Sequence, residues 1–201
     1  MEIIDNSLNG IIDDSDLSKE AKSLLSRWDQ SKKNIERPSW SDFFLLQAYH
    51  IASRSPDART KHGAVIVNES KEIVVTGFNG FIRDIDDRWL PNFDENKYDF
   101  FIHAEANALL NAARQGRSVK NCTAYITGPP CLTCFQFLWQ SGIKRIICGN
   151  RSSHMNKNEE YNTKMEILKA ITGNRLSIME RVLDPQYIEN SINELRALNN
   201  V

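Results

Sequence analysis

The sequence lacks several features that would place it in a broad class at once. No apolar run approaches the ~18 consecutive residues that suggest a membrane-spanning helix. Neither sign of charge dominates, because 25 Lys and Arg residues are balanced by 26 Asp and Glu residues and the formal net charge is −1. We therefore expect no membrane span and no basic surface for a long nucleic acid.

Cysteine is also scarce, with four residues in a chain of 201. The acidic N-terminal stretch MEIIDNSLNGIIDDSD shows no cleavable secretory pattern, so we expect a cytoplasmic protein. A disulfide framework is not expected in a reducing cytosol. The close spacing of Cys131 and Cys134 indicates metal binding or redox chemistry instead.

The length predicts one domain with an appended arm. Residues 1–37 form the predicted arm, because apolar residues recur at helical spacing in DLSKEAKSLLSRWDQSKKN before the pattern breaks at ERPSW. Residues 38–201 form the predicted domain. The domain begins with a helix that runs from about residue 41 and ends before Pro56. The segments HGAVIVN and EIVVTGFNG then predict a β-hairpin.

The second half of the domain also alternates helix and strand patterns. A long polar and aromatic loop at 80–101 precedes a helix predicted from His103 to Gln115. The segments NCTAYITG and IKRIICGN read as strands on either side of a short helix, and such a unit predicts parallel strands. A helix near 162–172, the short strand LSIMERV and a C-terminal helix follow.

Two short motifs lie where predicted helices begin. The segment FFIHAEANALLNAA places His103 two residues before Glu105, and PPCLTC places Cys131 three residues before Cys134. Unpaired N–H groups at a helix start carry partial positive charge, which favours the thiolate form that binds metal. Residues three apart share one side of a helix, so both sulfurs can reach one ion.

An imidazole from His103 would complete a set of three protein ligands. Three ligands leave a fourth position open, which is the catalytic rather than the structural pattern for zinc. Zinc lowers the pKa of bound water to about 7 and so supplies a nucleophile at neutral pH. Glu105 has the spacing to lie beside that water and to move its proton without binding the metal.

Each part of this pattern has a simpler alternative. A lone histidine at a helix start is often a cap or core residue, and a lone C-x-x-C can be a redox pair or a structural zinc site. Cys122 and Cys148 read as small buried hydrophobic residues, and His50, His62 and His154 lack ligand spacing. The joint pattern H-x-E with P-C-x-x-C is the zinc deaminase signature and is far more specific than its parts.

With these motifs in place, the chain resembles the cytidine/deoxycytidylate deaminase superfamily, and within it the branch of the deoxycytidylate (dCMP) deaminases. The resemblance runs from about Arg37 to Gly149. It rests on the segments RPSWSDFF, SRSPDARTKHGAVIVN, TGFNG, HAEANAL, GPPCLTC and SGIKRIICG. The segments before the metal motifs matter most for the choice of branch, since other members of the superfamily share the metal motifs.

The resemblance implies a three-layer α/β fold, with a mixed sheet of about five strands between helices. It also implies hydrolytic removal of the 4-amino group of dCMP, which gives dUMP and ammonia and supplies a dTTP precursor. His103, Cys131 and Cys134 match the family's zinc ligands. Glu105 matches its proton shuttle. Residues 38–201 would then be a zinc-dependent deaminase domain with a C-terminal helical extension.

Further residues match substrate contacts of the family. The backbone of Ala104 should contact the base edge, and Asn79 matches the asparagine that family members use at the sugar, with a plain turn residue as the alternative. We expect Arg54, Arg59 and Lys61 to bind the 5′-phosphate, because Arg grips phosphate through paired hydrogen bonds and Lys adds a point charge. Exposed cations that only aid solubility are the alternative.

The segment after TGFNG departs from the family. Many dCMP deaminases continue with Pro and Gly within a few residues, whereas this chain reads FIRDIDDRWLPNFDENKYDFF. In the family this region belongs to a regulatory site, where dCTP activates and dTTP inhibits. Arg83, Asp84 and Asp86 are the candidates for such a site, and an ordinary solvated loop is the alternative. The resemblance also suggests a homo-oligomer, with a hexamer favoured.

Two other functions stay open beside dCMP deamination. The same chemistry could act on another substrate, namely cytidine or CMP, dCTP, guanine or a tRNA adenosine. A tRNA enzyme should show a basic surface, because phosphate contacts dominate affinity, and the net charge of −1 argues against it. A non-catalytic, zinc-stabilised interaction module is the other alternative. Glu105 argues against it, since a structural site has no use for that carboxylate.

Overall fold

The computed structural model describes residues 17–31, 37–92, 95–150, 159–173 and 177–198. The chain divides into two units, residues 1–37 and 38–201. The described part of the first unit forms helix α1, Lys19–Ser31. The rest of the predicted arm, residues 1–16 and 32–36, lies outside the described residues, as does His154. The assignment of the two ranges as an arm and a deaminase domain stays a prediction.

Helices and strands alternate along the second unit. Its helices are α2 Trp40–Ala52, α3 Ala104–Arg114, α4 Leu132–Gln140, α5 Glu159–Ile171 and α6 Pro185–Leu198. Its strands are β1 Gly63–Val67, β2 Ile73–Phe78, β3 Thr123–Ile126, β4 Arg145–Cys148 and β5 Ser177–Glu180. Short 3₁₀ turns at Asp87–Trp89 and Glu95–Asp99 interrupt the predicted 80–101 loop. In the part of the chain that is described, no helix has both the length and the apolar character needed to cross a membrane.

The strands form one mixed sheet in the order β2-β1-β3-β4-β5. β1 pairs antiparallel with β2 and with β3, which confirms the predicted hairpin. β3 and β4 pair in parallel, as the strand–helix–strand pattern predicted, and β5 adds a further parallel strand. The predicted α/β class with a mixed five-stranded sheet is confirmed.

Helices cover both faces of this sheet, which gives the three predicted layers. α2 packs on one face, in a cluster made of Phe44, Ala48, Val65, Val67, Tyr125 and Ile147. α3 and α4 pack on the opposite face, through Ala104, Ala108, Ala112, Phe135 and Leu138. The small alanine side chains of α3 allow its backbone to lie close to the strands. The two helices that carry the metal motifs therefore share one face of the sheet.

The contact between α3 and β2 is close enough that only glycine fits at one point. A Cβ atom at Gly77 would lie 2.4 Å from the backbone nitrogen of Ala108 and 2.5 Å from the carbonyl oxygen of Ala104. We expect Gly77→Ala to push α3 away from the sheet and to lower the free energy of unfolding by roughly 1–3 kcal/mol, as overpacking does. Urea unfolding measures this change.

Gly116→Asn is the matched control for this substitution. A Cβ atom at Gly116 has no neighbour within 4 Å, and asparagine tolerates its φ of +65° better than most residues do. We expect a smaller loss of stability there. Equal losses at Gly77 and Gly116 would contradict the overpacking argument.

Candidate metal centre and active site

The predicted metal motifs lie at the first residues of two neighbouring helices. His103 is the N-cap residue of α3, but its side chain makes no capping hydrogen bond. Cys131 is the N-cap residue of α4, and its Sγ accepts a hydrogen bond from the backbone N–H of Cys134 at 3.4 Å. His103 is therefore not a capping histidine, because its ring turns toward the cysteines instead.

The three donor atoms are spaced as a zinc ion requires. His103 Nδ1 lies 3.4 Å from Cys131 Sγ and 3.5 Å from Cys134 Sγ. Zinc bonds of about 2.3 Å to sulfur and about 2.0–2.1 Å to nitrogen, at tetrahedral angles, put nitrogen and sulfur roughly 3.5 Å apart. No other cluster of three His, Cys, Asp or Glu side chains within the described ranges could share an ion. The donor set fits zinc.

Hydrogen bonding within the donor cluster shifts the pKa values of the two thiols in opposite directions. A hydrogen bond from Cys134 lowers the pKa of Cys131 to about 4, and the same bond raises the pKa of Cys134. The bond to Cys131 also raises the pKa of His103. Cysteine binds metal as the thiolate, so a divalent cation displaces thiol protons when it binds.

Glu105 sits in the first turn of α3, beside the donor atoms but outside their cluster. Its side chain is buried, and this burial raises the pKa of its carboxyl group. A carboxyl whose pKa is moved toward neutrality can take up a proton and release it again. The position suits a group that moves protons rather than one that binds metal.

A cavity of about 540 Å³ opens next to the donor atoms and Glu105. Its volume lies within the usual range for sites that bind small molecules. Tyr98, Phe101 and Phe137 give it an aromatic wall, and its polar side chains outside the metal centre are Asp57, Thr60, His62, Asn79 and Thr133. A planar ring with polar substituents is the kind of ligand that matches such a lining.

The predicted substrate residues divide into two groups. Asn79 and Ala104 both line the cavity, and their contacts to sugar and base stay predictions. Arg54, Arg59 and Lys61 are exposed and are not among the lining residues, although their neighbour Thr60 is. Their role at a phosphate stays a prediction.

The predicted regulatory residues lie on an exposed loop. Arg83 donates a hydrogen bond to Asn111 Oδ1 on α3 at 2.5 Å. Asp86 pairs with Arg88 at 2.6 Å, and Asp84 is exposed with a φ of +64°. None of the three lines the cavity. Their regulatory role also stays a prediction.

Sequence reasoning missed a buried ion pair beside the cavity. Lys97 Nζ lies 2.6 Å from Asp57 Oδ1, and the two residues are 1% and 4% exposed. Asp57 lines the cavity, as do Tyr98, which belongs to the same turn as Lys97, and Phe101, which follows that turn. No local pattern marks the pair, because its members are 40 positions apart and Lys97 belongs to a loop predicted to be polar.

Helix α5 supports the loop that carries the second metal motif. Tyr161 of α5 donates a hydrogen bond to the carbonyl oxygen of Pro130 at 2.7 Å, next to Cys131 in sequence. Burial raises the pKa of Tyr161 to about 12, so its hydroxyl stays a donor. Part of the predicted C-terminal extension therefore holds the metal loop in place.

Comparisons with known proteins agree with this site. A family model described as the cytidine and deoxycytidylate deaminase zinc-binding region matches residues 38–150. The deoxycytidylate deaminase of Mus musculus is 32% identical over 162 residues, which cover 78% of this chain and 86% of that protein. The deoxycytidylate deaminase of Homo sapiens is 35% identical over 122 residues, which cover 58% of this chain and 67% of that protein.

Solved structures agree with the fold. The dCMP deaminase of the cyanophage S-TIM5, in complex with dCMP and dUMP, superposes with a TM-score of 0.58 at 20% sequence identity. The match covers 73% of this chain and 100% of that chain. The same protein without ligand gives a TM-score of 0.56 at 22% identity. At these identities the likeness shows a shared fold.

Proposed function

Because the chain belongs to the cytidine and deoxycytidylate deaminase family, we propose that it is a zinc-dependent enzyme that converts dCMP and water to dUMP and ammonia. One observation carries the proposal. A three-donor zinc site and a separate buried carboxyl group lie at one cavity. A purely structural zinc site would need neither the carboxyl group nor the cavity, so catalysis is favoured over the interaction module.

In this proposal His103, Cys131 and Cys134 hold the ion. Three protein donors leave a coordination position for a small ligand, as in catalytic sites. When bound, zinc supplies Lewis-acid activation of water. The N-terminus of α4, at which both cysteines lie, contributes fixed positive partial charge, which stabilises the thiolates that bind the ion.

Glu105 moves protons in the proposed reaction. Its carboxylate accepts the two protons of the attacking water in turn and passes one to N3 of the base and the other to the 4-amino group, so that the C4–N bond breaks and ammonia leaves. Its burial keeps bulk water away and places its pKa higher than that of an exposed glutamate. The aromatic wall formed by Tyr98, Phe101 and Phe137 offers ring faces to a planar base in the same cavity.

Binding of the nucleotide is assigned to residues around the cavity. We propose that the backbone of Ala104 contacts the base edge and that Asn79 contacts the sugar, which their place in the cavity lining supports. The cluster of Arg54, Arg59 and Lys61 is proposed for the 5′-phosphate. Its support is proximity in sequence to Thr60 and His62, which line the cavity.

Several further properties are proposed from family membership. We propose a cytoplasmic enzyme that supplies the dTTP precursor, assembles as a homo-oligomer, with a hexamer favoured, and responds to dCTP and dTTP through Arg83, Asp84 and Asp86. The exposed side chain of Trp40 on α2 supports an oligomer contact there. Trp139 on α4 packs against the core.

A substrate panel tests the proposed function. We expect ultraviolet absorbance to show dUMP formation from dCMP, and no turnover of CMP, dCTP or cytidine, because the cavity must match both the sugar and a single phosphate. Adding deoxycytidine to the panel isolates the contribution of the phosphate. If another member of the panel is turned over instead, that compound is the substrate. Absence of all turnover by zinc-loaded protein would support the interaction module.

A further inference from the structure

The buried ion pair of Asp57 and Lys97 has no part in the reaction described above. The side chains of Lys97 and Asp57 are 1% and 5% exposed, and their charges lie 2.6 Å apart. Burying charges is costly unless each is paired and hydrogen bonded. Because this costly pair lies beside the cavity, its contacts with the residues that line the cavity matter.

The carboxylate of Asp57 is held in one orientation. Its Oδ1 accepts hydrogen bonds from Lys97 Nζ at 2.6 Å and from the backbone N–H groups of Arg59 and Thr60 at 2.8 and 3.0 Å. Burial raises the pKa of Asp57, but these hydrogen bonds outweigh it and the pKa lies below its ordinary value. Asp57 therefore stays ionised, and its other oxygen, Oδ2, can only accept.

That second oxygen fixes the amide group of Asn79. Asn79 Nδ2 donates to Asp57 Oδ2 at 3.2 Å and to the carbonyl oxygen of Thr60 at 3.0 Å. Asn79 Oδ1 accepts from the backbone N–H of His62 at 2.7 Å. A carboxylate and a carbonyl only accept, and a backbone N–H only donates, so the amide cannot be reversed.

These hydrogen bonds determine which polar group Asn79 still has available for a ligand in the cavity. Both hydrogens of its NH₂ group are used, whereas a carbonyl oxygen has two lone pairs and only one is engaged. Asn79 lines the cavity, so it presents a hydrogen-bond acceptor there and no donor. In dCMP the sugar carries one free hydroxyl group, the 3′-OH, because position 2′ has none and position 5′ is esterified.

We propose that Lys97 and Asp57 are positioning residues, which fix Asn79 as an acceptor and so make the site select substrates with a free 3′-hydroxyl donor. This inference rests on the proposed function. Lys97 also lies 5.4 Å from the ring centroid of Tyr98 and 5.7 Å from that of Phe101, within the range of cation–π contacts. The ammonium group of Lys97 therefore contacts the aromatic wall of the cavity and, through Asp57, also positions Asn79.

The test compares two substrates on two proteins. For the zinc-loaded wild type, we expect kcat/KM for dCMP to exceed that for 2′,3′-dideoxycytidine 5′-monophosphate by roughly 10–100-fold, the usual effect of leaving a buried polar group unpaired. In Lys97→Met the amide of Asn79 is no longer fixed. We therefore expect this ratio to fall toward one, mainly because KM for dCMP increases. Lys97→Arg keeps the charge and should restore part of the ratio.

Controls separate positioning from general damage. A merely structural defect lowers kcat/KM for both substrates by the same factor, and an unchanged ratio in Lys97→Met would overturn the positioning role. Lys120→Met removes an exposed lysine outside the cavity lining and should leave the ratio as in the wild type. In Asp57→Asn an NH₂ group must face either Lys97 or Asn79. We therefore expect this variant also to lose the preference for dCMP over the dideoxy analogue.

The wild type alone provides a test that needs no variant. 2′,3′-Dideoxy-3′-fluorocytidine 5′-monophosphate carries an acceptor of similar size at the same position and cannot donate. We expect it to be used no better than the dideoxy analogue. Equal use of this analogue and dCMP would overturn the acceptor assignment of Asn79. Lack of any dCMP turnover by zinc-loaded wild type would instead reject the proposed function, which keeps the two failures distinguishable.

Discussion

Replacing Glu105 with alanine should stop dCMP turnover while the zinc site stays loaded. Glu105 lies outside the donor cluster, so its loss leaves His103, Cys131 and Cys134 in place. A positioned acid or base contributes typically 10²–10⁴-fold to a rate, and we expect a fall in kcat of at least that size. Absorbance measures the rate, and metal analysis of the same sample measures bound zinc.

Two comparisons sharpen this experiment. Glu105→Gln keeps the size of the side chain but cannot carry a proton, so it should be as inactive as the alanine variant. Glu166→Ala removes an exposed carboxylate on α5 and should leave the rate unchanged. A Glu105→Ala variant that stays active within a few-fold of the wild type would show that another group moves the proton.

Replacing Cys131 with alanine should release the metal. The change leaves two protein donors, and the loss of a hydrogen-bond partner behind a ligand already costs 10–100-fold in metal affinity, so loss of a ligand should cost more than roughly 100-fold. Activity should vanish with the zinc. Metal analysis after dialysis, with a chelator competition to rank the variants, measures the effect.

The other cysteines supply the matched control for this loss. Cys122 is also buried, but it lies outside the donor cluster, and burial raises the pKa of its thiol. Cys122→Ala should therefore keep stoichiometric zinc even where it lowers stability. Full zinc retention by Cys131→Ala would reject the proposed ligand set, whatever the activity of that variant.

Much of the fold was open to prediction because its signals are local. The β-branched runs of β1 and β2 and the βαβ pattern around α4 follow from side-chain alternation and length, and the pairing confirms both. The strand predicted at LSIMERV is observed as β5, Ser177–Glu180, but its parallel pairing with β4 was not predicted. Ion pairs across the fold were also missed, such as Arg181 with Asp42, whose members are 139 positions apart.

The sequence by itself determined the chemistry of the metal centre, because each motif sits at its own helix start and carries its ligand types within a few residues. Only the tertiary structure decided which side chains meet beside the cavity. The link from Lys97 through Asp57 to Asn79 joins the loop before α3, the loop before β1 and the end of β2. Such contacts depend on which buried polar groups meet across the fold, and neither periodicity nor spacing encodes that meeting.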